Sequence, residues 1–236
     1  MSAALNLQPE LLGNNVMRLP HYEPMVAERG LTANCYALLF DNQAILVDAV
    51  FADVWSVIKA LNKAGNKPIA LVLTHRHVVA QAEVLPEIVR EFNIPVFLHP
   101  IDAMHQQAQR WHNFQYADPT KSELLAQRGI KAQLFPGHTE GGIVLYQNDE
   151  KVLIAGDTAV GPTTGEAEMG DWTMVRPPIF FNVDDDELRR SWTELDLPIA
   201  TIAPYHGLPI VERPDEIANS LRSLRRAEPT TRLRGE

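Results

Sequence analysis

The sequence predicts an α/β fold, and three observations carry that expectation. Short apolar runs alternate with stretches of helical periodicity. Ile69–Leu73 is a continuous apolar run, as expected of a strand buried on both faces. A second strand-rich half begins at Ile130.

Taken in order, Tyr36–Phe40 and Ala44–Asp48 read as strands joined by the turn-prone Asp41-Asn42-Gln43. Val54–Ala64 places Val54, Val57, Ile58 and Leu61 at helical spacing and stops at Gly65. After Ile69–Leu73, Ala82–Phe92 reads as a helix and Pro95–Leu98 as a strand. Asp102–Arg128 lacks clean periodicity and is expected to form helical pieces over one end of the sheet. Its His105, Trp111, His112, Phe114 and Tyr116 are expected to pack in a core or interface, with a substrate pocket as the alternative. The second half offers strands at Ala132–Phe135, Ile143–Gln147 and Lys151–Ala155. Val160–Pro178, rich in Gly, Thr and Pro, reads as a long loop of the kind that forms lids. In it, Arg176 is expected in a surface ion pair, with an anionic substrate group as the alternative partner. Asp184–Leu195 is a helix capped by Asp residues, and Ile199–Pro204 a strand. Pro214–Arg226 closes the chain as a helix with Pro214, Asp215 and Glu216 in its first turn.

Composition limits the chemistry. The chain has 236 residues, a formal charge of −9 and a hydrophobic fraction of 45%, which suit a soluble globular protein. Cys35 is the single cysteine, so there is no intrachain disulfide and no four-cysteine zinc site. A metal must be held by His, Asp or Glu, and there are eight His. The acidic balance argues against broad nucleic-acid binding. No apolar stretch is long enough to span a membrane, and Met1–Asn15 lacks the features of a signal peptide, so a cytoplasmic location is expected. Arg222, Arg225, Arg226, Arg232 and Arg234 read as a solvated helix end and a frayed tail. The expected partner is a small-molecule substrate, with no nucleic acid and no membrane; a homodimer is left open.

Four motifs fall where strands end. Thr74-His75-Arg76-His77 follows Ile69–Leu73; on an extended chain both imidazoles would project to one side, with Cα atoms about 7 Å apart. Gly137-His138-Thr139-Glu140-Gly141-Gly142 places a histidine in a glycine-rich turn. Gly156-Asp157 ends an apolar run, and Tyr205-His206-Gly207 follows a short strand. Together, from about Asn34 to Pro209, these resemble the metallo-β-lactamase fold superfamily. The resemblance implies a four-layer αββα sandwich with its site at one edge. It implies a single domain over 1–236, with a core of about 34–210 and a C-terminal helix and basic tail at 214–236. His75, His77 and His138 match the first metal site of the family, Asp157 the bridging carboxylate and His206 a ligand of the second metal.

The match breaks inside the first motif. Where the family has HxHxDH, this chain reads His75-Arg76-His77-Val78-Val79-Ala80. Val79 and Ala80 stand where two ligands of the second metal belong, and neither side chain can bind a metal. Asp157 and His206 alone are too few for a tight second site, whereas three imidazoles suit a single catalytic zinc. The resemblance therefore implies a hydrolase of a small ester, thioester, lactone or amide with at most one tightly bound divalent metal. Zinc comes first, then iron or manganese. Asp157 is its fourth ligand or general base, because Glu83 and Glu140 are poorly placed for that role. Two alternatives remain at this level. One is an impaired pseudoenzyme or binding protein of the same fold. The other is a mononuclear non-haem iron sulfur oxidoreductase using His75, His138 and Asp157.

Overall fold

The computed structural model describes residues 6–111, 113–232 and 234, so His112 lies outside the described residues. The sheet starts earlier than the expected core. β1 (Glu10–Leu11) pairs with β2 (Val16–His21), and β2 runs antiparallel to β3 (Ala33–Phe40) with Val16 opposite Leu38. β4 (Gln43–Val47) turns back on β3, then β5 (Lys67–Val72), β6 (Val96–Phe97) and β7 (Tyr116–Ala117) add in parallel. In the second half β8 (Ile130–Leu134), β9 (Ile143–Gln147) and β10 (Val152–Val160) form an antiparallel meander. β11 (Thr201–His206) lies parallel to β10, and β12 (Ile210–Val211) pairs on β11. The strand order is β7-β6-β5-β4-β3-β11-β10-β9-β8, and the halves join through the pairing of His206 with Ala33.

Three separate cores show the layering. Strand residues alternate between them with the period of two that a pleated strand imposes. Ile45 and Val47 of β4 and Val152 and Ile154 of β10 enter a core between the two sheets. Leu46 and Leu71 face a second core, closed by α2 (Ala52–Lys63) and α4 (Leu85–Phe92) through Val54, Ile58, Leu85 and Ile88. Leu153 and Ala155 face a third, closed by α8 (Asp185–Glu194) and α9 (Pro214–Arg225) through Leu188, Trp192, Ile217 and Leu224. Helices outside, two sheets inside: this is the αββα sandwich. Fully burying a Val, Leu or Ile side chain is worth about 1.5–3 kcal/mol, and central strands with both faces covered collect that gain twice per residue pair.

Several elements depart from expectation. The expected helix Ala82–Phe92 begins only at Leu85, with Pro86 in its first turn, and a separate helix, Arg76–Gln81, precedes it across a break at Ala82–Val84. Proline has no N–H to give a preceding turn, so it begins the second helix and does not continue the first. Val160–Pro178 is not an open lid. Val160 pairs with Val175, and a short helix (Thr164–Glu168) starts at a Thr163–Glu166 capping box. The tail is not frayed either. Arg176 is 1% exposed and donates to the carbonyls of Leu224, Arg226 and Glu228 while pairing with Asp185. Its expected surface ion pair is a buried clamp on the chain end.

Candidate metal centre

The loop after β5 does not stay extended. His75 keeps extended backbone angles, but Arg76–Gln81 is a helix, so His77 sits in its first turn. The two imidazoles converge by a turn instead of by strand alternation, with ring centroids 5.2 Å apart. A buried acidic relay orients His75. Asp48, at the end of β4 with φ +56°, accepts from Thr74 N and Thr74 Oγ1, both at 2.7 Å. Thr74 Oγ1, its proton committed to Asp48, accepts from His75 Nδ1 at 3.0 Å. The lone pair of His75 is thereby assigned to Nε2. Burial pushes the Asp48 carboxyl up to about 7, against its two hydrogen bonds from Thr74.

His138 arrives from the other half. Gly137, with φ +128°, lets the turn pass against the backbone of Leu188 in α8, where a Cβ would collide. Asn182 gives both amide protons away, to Pro177 O and Asp185 Oδ1, so its Oδ1 accepts from His138 Nδ1 at 3.2 Å. That leaves His138 Nε2 facing His77 Nδ1 at 3.1 Å. Tetrahedral geometry sets about 3.3 Å between two nitrogens each about 2.0–2.1 Å from zinc. Among the described residues, His75, His77 and His138 form the one group of three or more potential ligands whose binding atoms all lie within 4.8 Å of one another. Burial, followed by the neighbouring His138, lowers His77 to about 4 and holds His75 well below the usual histidine value, so both rings are neutral and competent as ligands at neutral pH. The donor set fits a divalent ion.

Asp102 ties the two motifs together. Fully buried, it accepts from Arg76 N (2.8 Å), Arg76 Nη1 (3.1 Å), Thr139 Oγ1 (2.8 Å) and Gly141 N (2.9 Å). One carboxylate thus holds the turn of His75 and His77 against the turn of His138. Arg76 also pairs with Glu140.

Asp157 lies within β10, not at its end. The register slips on either side of Gly156, whose φ is +55° and whose missing Cβ makes room for Thr74. The irregularity turns Asp157 toward the histidines. Its Oδ1 meets His206 Nδ1 at 2.8 Å and its Oδ2 lies 3.3 Å from His138 Nε2. On the other side, His206 Nε2 meets Glu23 Oε2 at 3.1 Å. Burial opposes charge on His206, but Asp157 and Glu23 outweigh it and raise the ring to about 10. Burial likewise opposes charge on Asp157, yet His206 and His138 hold it well below the usual carboxylate range.

These shifts predict a stability maximum near neutral pH for the chain after chelation. His21 and His77, lowered to about 4, and His75, held well below its ordinary value, bind fewer protons folded than unfolded, so stability is lost as pH falls from 6.5 toward 4. Asp48 opposes them there, one group against three. His206 binds its proton more tightly when folded. Its contribution is complete below 6.5 and lost as pH rises through about 10. Thermal midpoints across this range should fall on both sides, and His206→Gln should flatten the alkaline side. A level profile from pH 7 to 10 in the unmodified chain would rule out the two-carboxylate clamp.

All five expected site residues, His75, His77, His138, Asp157 and His206, line one cavity of about 350 Å³. Val79 does not: it is buried in the first helix–sheet core, and Val78 faces the cavity instead. Glu83 caps α2 through Ala52 N, and Glu140 is held by Arg76, so neither is free to act as a base. His99 is only half-buried, and its Nδ1 lacks a partner among the described residues. Trp111, Phe114 and Tyr116 pack on the core closed by α2 and α4, away from the cavity. Cys35 is buried and donates to Asp48 O. Sequence reasoning missed Glu23, Asp102 and Asn182, as well as the role of Asp48. Asp48 carried the same signal as Asp157, an acid ending an apolar strand; Glu23 carried none.

Two strand-rich halves layered as αββα, with histidines from both meeting at the sheet edge, define a sandwich of the metallo-hydrolase type with a histidine cluster able to hold a metal. The chain belongs to the metallo-β-lactamase superfamily, whose family model matches residues 81–206, a span that holds His138, Asp157 and His206. It is 26% identical over 255 residues to the Bacillus subtilis (strain 168) protein named probable metallo-hydrolase YflN, covering 86% of this chain and 94% of that one. The fold is shared with a metallo-β-lactamase from Erythrobacter litoralis, solved with β-mercaptoethanol in its active site (TM-score 0.69, 17% identity, 92% and 95% of the two chains). It is shared too with the metallo-β-lactamase from Pontibacter korlensis (TM-score 0.66, 14% identity, 93% and 99%). Members of the superfamily bind metal ions, and this chain keeps a histidine cluster able to do so. No helix among the described residues is long and apolar enough to cross a membrane.

Proposed function

We propose that the chain is a hydrolase of a small ester, thioester, lactone or amide that uses one tightly held divalent ion, zinc first, at His75, His77 and His138. The observation that supports this most is the convergence of three ring nitrogens, two of them aimed by hydrogen bonds to Thr74 and Asn182. An ion held there polarises a carbonyl and acidifies water. Asp157, ionised and fixed by His206, accepts a hydrogen bond from the attacking water and orients it. Its depressed pKa makes it a weak base, so orientation outweighs proton abstraction in its role. His206, charged between Asp157 and Glu23, holds that carboxylate in place without serving as a ligand.

The test is metal analysis of protein purified without chelator, followed by assays on aryl esters, thioesters and lactones. One equivalent of metal, and turnover that chelation abolishes and the same ion restores, is the expected result. Metal without turnover on any of these substrates would favour a binding protein of the same fold. Iron with oxygen uptake on a persulfide would replace hydrolysis by sulfur oxidation.

A further inference from the structure

The cavity has a polar end and apolar walls. Met25 and Val26 of α1 (Pro24–Ala27), Leu31, Val78, Val175 and Phe181 line it beside the histidines. Three arginines line it as well: Arg29, Arg232 and Arg234. Charge balance separates them. The cavity carboxylates are engaged, Glu23 with His206 and Asp157 with His206 and His138. Arg234 pairs with Glu166 at 2.6 Å and donates to Thr173 O. Arg29 is half-buried and donates to Met25 O, and Arg232 is exposed; among the described residues neither pairs with a carboxylate. In a chain of net charge −9, two uncompensated guanidiniums on one cavity form a local reversal of sign.

The tail that carries Arg232 is built into the wall. Arg176 holds the carbonyls of Leu224, Arg226 and Glu228, and Thr230 O accepts from Ile179 N at 2.8 Å. Arg234 anchors the tail again beyond Arg232. Arg29 comes from the other end of the chain, just after α1. Both termini thus bring a positive charge to the same apolar cavity.

We propose that the cavity takes a carbonyl compound with an apolar acyl body and a separate anionic group, and that Arg29 and Arg232 hold the anion. This rests on the hydrolase reading for the identity of the reacting carbonyl. The guanidinium fork matches a carboxylate or phosphate, and the walls match an acyl chain; a cavity of about 350 Å³ admits a medium-length one.

Isothermal titration of the full-length protein with octanoate and with its neutral amide, octanamide, tests this without turnover. Octanoate should bind at least about tenfold more tightly, the size of one charge-assisted contact. Arg29→Ala and Arg232→Ala should each bring octanoate close to octanamide and leave octanamide unchanged, and octanoate binding should persist after chelation. Equal binding of the two probes, indifference to both arginines, or loss of octanoate binding on chelation would each overturn the proposal. These readouts are independent of metal content and ester turnover, so failure here and failure of the hydrolase reading are told apart.

Discussion

Replacing His138 with alanine abolishes tight metal binding and, with it, turnover. The reason lies in the ligand count. A catalytic zinc keeps three protein ligands and an open position. His138→Ala leaves His75 and His77, and no other described side chain joins them within ligand range. The variant also removes the ring that faces His77 Nδ1 and Asp157 Oδ2. Changes to groups that merely support a ligand cost about 10–100-fold in metal affinity or activity, and loss of a ligand exceeds that. The measurement is the metal-dependent rise in thermal stability. Metal at a thousand times its Kd stabilises the folded chain by about 4 kcal/mol; the unmodified protein should show that shift and His138→Ala should show none. An undiminished shift in the variant would place the metal elsewhere.

Asp102→Ala should destabilise the protein by about 3–5 kcal/mol, the cost of leaving a buried charge without its partner. Arg76 is 4% exposed, and its remaining carboxylate neighbour, Glu140, lies at the surface. Three further donors, Arg76 N, Thr139 Oγ1 and Gly141 N, lose their acceptor at the same time. Because those donors belong to the two histidine turns, the same variant should weaken metal binding although Asp102 touches no ligand atom. Asp102→Asn keeps one acceptor oxygen and should fall between. Denaturant unfolding of the three proteins, with metal titration alongside, checks both effects. A loss below about 1 kcal/mol would show that the two turns are held by something other than this carboxylate.

Much of the sandwich was legible in the chain. Ile143–Gln147 has the same bounds in sequence and structure, and both of its faces are buried. The Asp184 cap on α8 and Pro214 at the start of α9 were readable because capping is local chemistry. The short strands β7 and β12 were not readable, having two residues each and no pattern of their own. β2 was missed as well, and it brings in the N-terminal segment whose Glu23 reaches His206. The arrangement of His75 and His77 was expected for the wrong reason, since alternation on a strand gave way to a helical turn.

The sequence by itself determined the class of fold and, through four short motifs in order, the histidines and aspartate that meet at the site. The fold class follows from apolar periodicity and the site residues from motifs that resemble a known superfamily; both are written locally. The tertiary structure alone decided what surrounds those residues. It turned Val79 into a core, set His206 between Asp157 and Glu23, joined the two histidine turns through Asp102, and folded a basic tail into the cavity wall. Each of those contacts spans dozens of residues or more, and no local pattern encodes a partner at that distance. Only the assembled sheet and the packing of its two halves bring them within hydrogen-bond reach.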